Sequence, residues 1–429
     1  MLAVRLLLGV LFPSALVNAF ADLGPVKGLD RRQPKAAKCV VPANDDGTDD
    51  APAILKAFEE CKSNECKSKG HIVFENTTYY GWRMRMRHGD TKVDPQLRSC
   101  NCGIYALRHY VNQVMQTTGL KNVKIDIKGT LVNTTYWLEN SLPTGYQNQS
   151  TAWILGGKNP DVDGFGHSTF DGNGQTWYDL VRGESNYHRR PYALLIDGTE
   201  DSVFTGLRFV QAQMWTVTIM RPNRVLLQDI YVNNTSSNRN PARNTDGANT
   251  IFSDRIHFQQ WTVQSGDDCI AAKANSTKIL IDNVEFHKGQ GVAIGSIGQY
   301  PGHFESSGNV TARNVVAYGS RYAGRINTWT GEQLWYPPNG GGAGLGYTKN
   351  LSWDNVTIYD PEQAPIYVMQ CITYNRQQGN CSSSLFDISN ISFTNFRGSV
   401  RGSRSAYLEC SRAHGGCYNV RIENVDLAD

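Results

Sequence analysis

The chain has little net charge and no block of one sign: 42 basic against 39 acidic residues leave +3 over 429 positions. That balance gives no electrostatic footprint for a polyanion, so no nucleic-acid partner is expected. Beyond the first residues no apolar run is long enough to span a bilayer, which removes a membrane partner as well. No Cys/His spacing matches a zinc site, since Cys100-Asn101-Cys102 lacks a second half. Helical periodicity is missing from all but one short segment. No Pro/Ser-rich linker or charge run divides residues 38–429. Those absences leave one large domain of mainly strand character.

What is present agrees with a secreted all-β protein: 41 glycines, 20 tyrosines and only 19% charged residues. Met1 to Phe12 carries one positive charge and then an apolar run, and Ala19-Phe20-Ala21 offers a small-x-small cleavage site. Residues 1–21 are read as a signal peptide, 22–37 as a short tail and 38–429 as the folded domain. Asn-x-Ser/Thr sequons stand at Asn76, Asn133, Asn148, Asn233, Asn234, Asn275, Asn309, Asn350, Asn355, Asn380 and Asn390, which suits export and glycosylation. The ten cysteines then read as disulfides, with Cys371 near Cys381 and Cys410 near Cys417 close enough to staple loops.

Past residue 120 the chain repeats a loose phrase: a short alternating apolar run, an Asn or Asp, and another run. Asn223 to Val232, Lys278 to Phe286, Asn309 to Val316, Asn350 to Ile358 and Asn419 to Val425 are copies. Each has strand character with turn residues at its ends. Irregular spacing is expected of a solenoid whose coils carry loops of different length. Asp50 to Cys61 forms the one amphipathic helix, with Asp50 as its N-cap, placed to cover the open end of a stack of coils. A parallel β-helix accounts for the repeated phrase and the capping helix together; a β-sandwich of many short strands accounts only for the strands.

Asp246 precedes the adjacent pair Asp267 and Asp268 by about one coil. Stacking would bring all three carboxyls to one face, where like charges disfavour ionisation of at least one. Such a cluster either binds a cation or divides acid and base roles. Glycosidic hydrolysis needs that division: one acid for the leaving oxygen and one carboxylate for the opposite face, about 6.5–9.5 Å away when a water is activated. Each aspartate alone reads equally as a turn or cap residue; the joint pattern is what points to catalysis. Adjacent strand residues face opposite ways, so Asp267 and Asp268 share a cleft only if Gly266 bends the chain. Arg243, Lys273, Lys288, Arg313, Arg321 and Arg325 lie in the surrounding coils, with Arg325 placed to grip an acidic sugar. Trp329, Trp335, Tyr336, Tyr367 and Tyr374 are either sugar platforms or core.

Asn244-Thr245-Asp246, Asp267-Asp268, Gly289-Gln290-Gly291 and Arg325-Ile326-Asn327 resemble, in order and spacing, the motifs of glycoside hydrolase family 28, the polygalacturonases and related pectin hydrolases. Thr169 to Tyr178 resembles that family's early coil signature. The resemblance implies a right-handed parallel β-helix, an inverting mechanism and no cofactor or metal. It makes Asp267 the general acid, Asp246 and Asp268 the holders of the attacking water, and Arg325, with Asn244, Gln290, Asn327 and Lys288, the substrate-binding set. Ile294 to Tyr300, Cys39 to Pro42 and Asp45 to Asp50 are similar to exo-acting fungal members, and an insertion at 81–118 would wall off one end of the cleft.

Three departures stand out. Gln290 replaces the family's histidine, Asn327 replaces its lysine, and Cys269 lacks the partner expected where Glu285-Phe286 stand. The two neutral replacements suit a neutral sugar on the leaving-group side, unless Lys288 compensates. The resemblance therefore implies a secreted, monomeric exo-enzyme on pectic polysaccharide or oligosaccharide, releasing terminal galacturonic acid from galacturonan or rhamnogalacturonan. An α-L-rhamnosidase on the same fold is the alternative. A calcium-dependent pectate lyase and a non-catalytic binding module are the readings outside that class.

Overall fold

In the computed structural model of the protein, the described residues are 38–62, 70–81, 115–133, 147 and 149–428, apart from 188, 335–339, 375–376 and 402–403. The leader 1–21, the tail 22–37, most of the 81–118 insertion, Cys66, Cys100, Cys102, Trp335 and Tyr336 lie outside them.

Among the described residues every strand pairing is parallel, and pairs join strands one coil apart. Three faces result. On one face, Glu200–Thr205 pairs with Asn223–Asn233, which pairs with Asp254–Ser265 and then Ser276–Lys288. A second is the ladder Pro191–Asp197, Val217–Met220, Ala248–Ile251, Ile270–Ala272, Val292–Ile297, Gly324–Trp329 and Ile366–Ile372. The third begins with Thr78–Gly81, Thr130–Asn133, Thr169–Asp171 and Arg208–Val210, and continues in the second halves of the long strands. This is the right-handed parallel β-helix expected of the family, its hand being that of parallel crossovers in general.

The repeated Asn/Asp phrase has a backbone cause. Asp229, Asn283, Asn314, Asn355, Asn395 and Asn424 all sit at φ between 52° and 57°, where their long strands bend from one face to the next. Asparagine and aspartate tolerate that left-handed region better than other side chains. Their amides stack along the axis: Asn355 donates to Asn314 at 2.6 Å and Asn424 to Asn395 at 3.1 Å. A second row links Asn350 to Asn309, Asn390 to Asn350 and Asn419 to Asn390.

Inward residues such as Ile219, Phe258, Val263, Ile281 and Ile294 are fully buried and form one continuous core. The helix Ala51–Lys62 closes the described N-terminal coils, burying Ile54 and Phe58, with Phe58 edge-on to Trp153 at 6.1 Å. Asp50 does not cap it through its side chain. Its carboxylate accepts from the amides of Asn44 and Tyr80, both at 2.7 Å, while Asp49 accepts from Ala51. Cys39–Cys61, Cys371–Cys381 and Cys410–Cys417 are disulfides.

Candidate active site

The second face has short strands, each entered through a turn, and the site is built on those turns. Register pairs Ala248 with Ile270, Ile270 with Val292, and Val292 with Gly324. The residues two places earlier, Asp246, Asp268 and Gln290, therefore stack at the strand entrance. Gly266 supplies the expected bend: a Cβ there would lie 1.9 Å from the Ala242 carbonyl, so no larger residue fits. That bend turns Asp267 into the same cleft as Asp268. One oxygen from each of Asp246, Asp267 and Asp268 lies within 4.8 Å of the others.

The three carboxyls differ in environment. Asp246 and Asp268 are 2% and 4% exposed, whereas Asp267 is less buried. Burial, reinforced by the charge of Asp267, raises Asp246 well above the ordinary carboxylate range. Burial also lifts Asp268 to about 6, against the pull of the neighbouring Arg325 guanidinium. Three donors converge on Asp267: Gln290 Nε2 at 2.8 Å, the amide of Asp268 at 3.0 Å and Asn244 Nδ2 at 3.2 Å. Asn244 is itself held by Ser185 and the Asn186 amide.

Arg325 is enclosed by acceptors. Its Nη1 donates to Asp268 at 3.3 Å and to Gln290 Oε1. With its amide turned to satisfy both partners, Asn327 donates to the Ile294 carbonyl and accepts from Arg325 Nη2, each at 3.2 Å. The two neutral replacements thus serve as acceptors for this guanidinium, which a lysine cannot do. A further cation, Lys273, is 5% exposed; its Nζ donates to the Gly295 carbonyl at 3.0 Å and lies 5.0 Å from the Trp215 ring. Behind the carboxyls the fully buried Arg190 donates to the Gln213 carbonyl and faces the Tyr178 ring at 6.0 Å; burial pushes it down to about 10.

A cavity of about 170 Å³ opens over this floor, lined by Asn244, the three aspartates, Gln290, Arg325 and Asn327. Ser185, Asn186, Trp215, Arg243, Lys273, Trp329, Thr373 and Tyr374 line it as well, Arg243 being exposed. Lys288 is absent from the lining. It ends the strand Ser276–Lys288 with its side chain exposed, and only its carbonyl, accepting from Ser320 Oγ at 2.6 Å, supports the turn. Arg313 and Arg321 pair with Asp282 and Glu362 outside the cleft. Trp329 and Tyr374 pack on each other at 4.5 Å, and Tyr367 stacks on Tyr407 at 4.8 Å, so these rings largely cover one another. Cys269 is a buried free thiol, and Phe286 fills core where a partner cysteine was expected.

Trp215 is not singled out from the sequence, and Lys273 stands there only as one of six cations in the surrounding coils. Register was the missing signal: Lys273 follows Ala272, which pairs with Ile294, and so falls opposite Gly295 and in line with Asn327.

The chain is similar to known proteins in sequence and in fold. An α-L-rhamnosidase of Aspergillus niger is 43% identical over 391 residues, covering 90% of this chain and 83% of that protein. An exopolygalacturonase of Cochliobolus carbonum is 30% identical over 397 residues, covering 91% and 80%. The crystal structure of an endo-xylogalacturonan hydrolase from Aspergillus tubingensis superposes with a TM-score of 0.67 at 21% identity, covering 91% and 93% of the two chains, and matches the fold. The family model described as Glycosyl hydrolases family 28 matches residues 109–429. With the fold, the stacked aspartates and that match in agreement, the chain belongs to glycoside hydrolase family 28 and is a glycosidase.

Proposed function

We propose that the protein is an exo-acting pectic glycosidase that removes terminal α-L-rhamnose from rhamnogalacturonan-type oligomers, with inversion, outside the cell. The observation that carries this reading is the state of the buried cations. Arg325 is engaged by Asp268, Gln290 and Asn327, and Lys273 by a carbonyl and an indole face. Galacturonan places a carboxylate on both sides of every bond to be cut, and each needs a counter-charge on losing water. A cleft whose buried cations are already committed favours a neutral sugar on one side. The sequence alone puts the neutral sugar on the leaving-group side and galacturonate at the terminus; the relative named α-L-rhamnosidase moves the neutral sugar to the terminus, with the acid on the leaving-group side.

In this reading Asp267, the least buried of the three cleft aspartates, protonates the leaving oxygen. Asp246 and Asp268 hold and activate the water. Their closeness to Asp267 departs from the separation usual for inverting enzymes. Inversion is what the family resemblance implies, with Asp246 and Asp268, 2% and 4% exposed, lining the cleft as the holders of the water. The acid and base roles need opposite protonation states at one pH, so one of the protons that burial favours on Asp246 and Asp268 has to reside on Asp267 in the reactive complex.

Galacturonate release is the second reading, and Lys273 favours it, because a short movement off the Gly295 carbonyl would offer the ammonium to a hexuronate. The test is proton NMR of products from oligogalacturonides and from rhamnogalacturonan oligomers ending in rhamnose or galacturonate. Rhamnose released first as the inverted anomer is expected. Galacturonate release alone would overturn the sugar assignment, and a retained anomer would overturn the roles of Asp246 and Asp268.

A further inference from the structure

The double sequon Asn233-Asn234-Thr235-Ser236 holds two asparagines in opposite settings. Asn233 is partly exposed at the end of its strand. Asn234 is 2% exposed and lies beneath the turn that carries Asp246. Its side chain has one acceptor and two N–H groups, and all three are used. Oδ1 accepts from the Ala212 amide at 2.8 Å; Nδ2 donates to Thr216 Oγ1 at 2.8 Å and to the Thr245 carbonyl at 3.1 Å.

Those contacts lead into the site. The Thr216 amide donates to the Asp246 carbonyl at 2.8 Å, so Asn234 holds the Thr245-Asp246 segment directly and through Thr216. The Thr245 hydroxyl donates to the Ala242 carbonyl at 2.7 Å and accepts from the Gly266 amide at 3.1 Å, one residue before Asp267. One buried amide thereby fixes the turn of Asp246 and, through Thr245, the bend of Asp267.

We infer that Asn234 is a positioning residue for Asp246 and Asp267, and that its sequon stays unmodified in the active enzyme. A glycan on Nδ2 would replace one of two committed N–H groups with a bulky hydrophilic group that has to leave the interior. Any glycan at this pair therefore sits on Asn233. The positioning half of the inference rests on the catalytic reading of Asp246.

The experiment uses the full chain secreted from a glycosylating eukaryotic host. Glycopeptide mapping of active enzyme is expected to find Asn234 bare; a glycan on Asn234 in active enzyme overturns the inference, whether or not any variant folds. Asn234→Asp keeps the acceptor for Ala212 but has no N–H for Thr245. Its kcat is expected to fall roughly 10- to 100-fold with KM within about two-fold, the pattern of a displaced catalytic group. Asn233→Gln keeps wild-type kcat. Wild-type kcat in Asn234→Asp, beside an inactive Asp246→Asn, would overturn this inference alone. An active Asp246→Asn would instead remove the catalytic reading beneath it.

Discussion

Gln290 is the departure from the family whose role the structure makes most explicit, and a single atom exchange tests it. A carboxylate cannot donate and a guanidinium cannot accept, so the amide has one orientation: Nε2 toward Asp267 and Oε1 toward Arg325. Gln290→Glu replaces the donor with an oxygen 2.8 Å from Asp267 Oδ1. While ionised, the new group forfeits a charge-assisted hydrogen bond of about 1.5–3 kcal/mol. It also meets a like charge worth about 6 kcal/mol at an effective dielectric of roughly 20. The second quantity is the larger, so the new carboxyl takes a proton in acid and donates to Asp267 as the amide does. Variant and wild type should then release sugar at similar rates near pH 4. As pH rises and that proton is lost, the variant should fall behind by roughly 10- to 150-fold, the rate equivalent of the lost bond. Initial rates from pH 3 to 7 on a defined oligomer read the ratio directly. A ratio that stays constant with pH would refute the bridging role.

Asp267→Asn removes the proposed acid while keeping its shape, and kcat should fall by about 10²–10⁴; an unchanged rate of sugar release would reject that assignment. Asp268 is raised from 3.8 to about 6 in the folded protein, so the native state binds the extra proton. Its stabilising share is complete below about pH 3.8 and is lost as pH rises through about 6, an effect of about 3 kcal/mol. Unfolding midpoints should decline between pH 4 and 7, and Asp268→Asn should flatten that decline; an equal slope in both proteins would contradict the burial argument. Sugar release should survive a calcium chelator and yield no ultraviolet-absorbing unsaturated product. Loss of activity on chelation would instead favour the eliminating, calcium-dependent reading of the three carboxylates.

Much of this was legible because a solenoid writes its geometry into the sequence. Asp246 and the Asp267-Asp268 pair fall one coil apart, and the Asn/Asp phrase marks the positive-φ bend in the long strands other than Asp254–Ser265, where Gln260 takes it. Gly266 could be read as a bend because the pair needed one, and the close Ala242 carbonyl supplies the steric reason. Other features depend on which coil faces which, and that is not local. Lys288 is adjacent to the Gly-Gln-Gly motif in sequence and was expected in the cleft, yet the strand ends with its side chain outside. Lys273 looks like an ordinary strand lysine until register sets it beside Gly295 and in line with Asn327. Asp50 reads as a helix cap because local pattern shows only its neighbour Ala51. The tie to Tyr80 that occupies its carboxylate comes from the third face.

The same distinction bears on the two neutral replacements. From sequence, Gln290 and Asn327 are losses: a titratable ring and an ammonium gone from the leaving-group side. In the folded chain they are gains of acceptor, both pointed at Arg325. A histidine at 290 with both nitrogens protonated, or a lysine at 327, would leave that guanidinium with fewer protein partners and more of its charge for a ligand. Engaging Arg325 internally lowers its attraction for a carboxylate without removing the arginine, and its contact with Asp268 is kept. Substrate charge preference and the electrostatics of the proposed water-holding aspartate are therefore coupled through one side chain. A change made at either amide to alter the sugar accepted should also shift the pH dependence of hydrolysis, because Arg325 is what opposes the rise of Asp268.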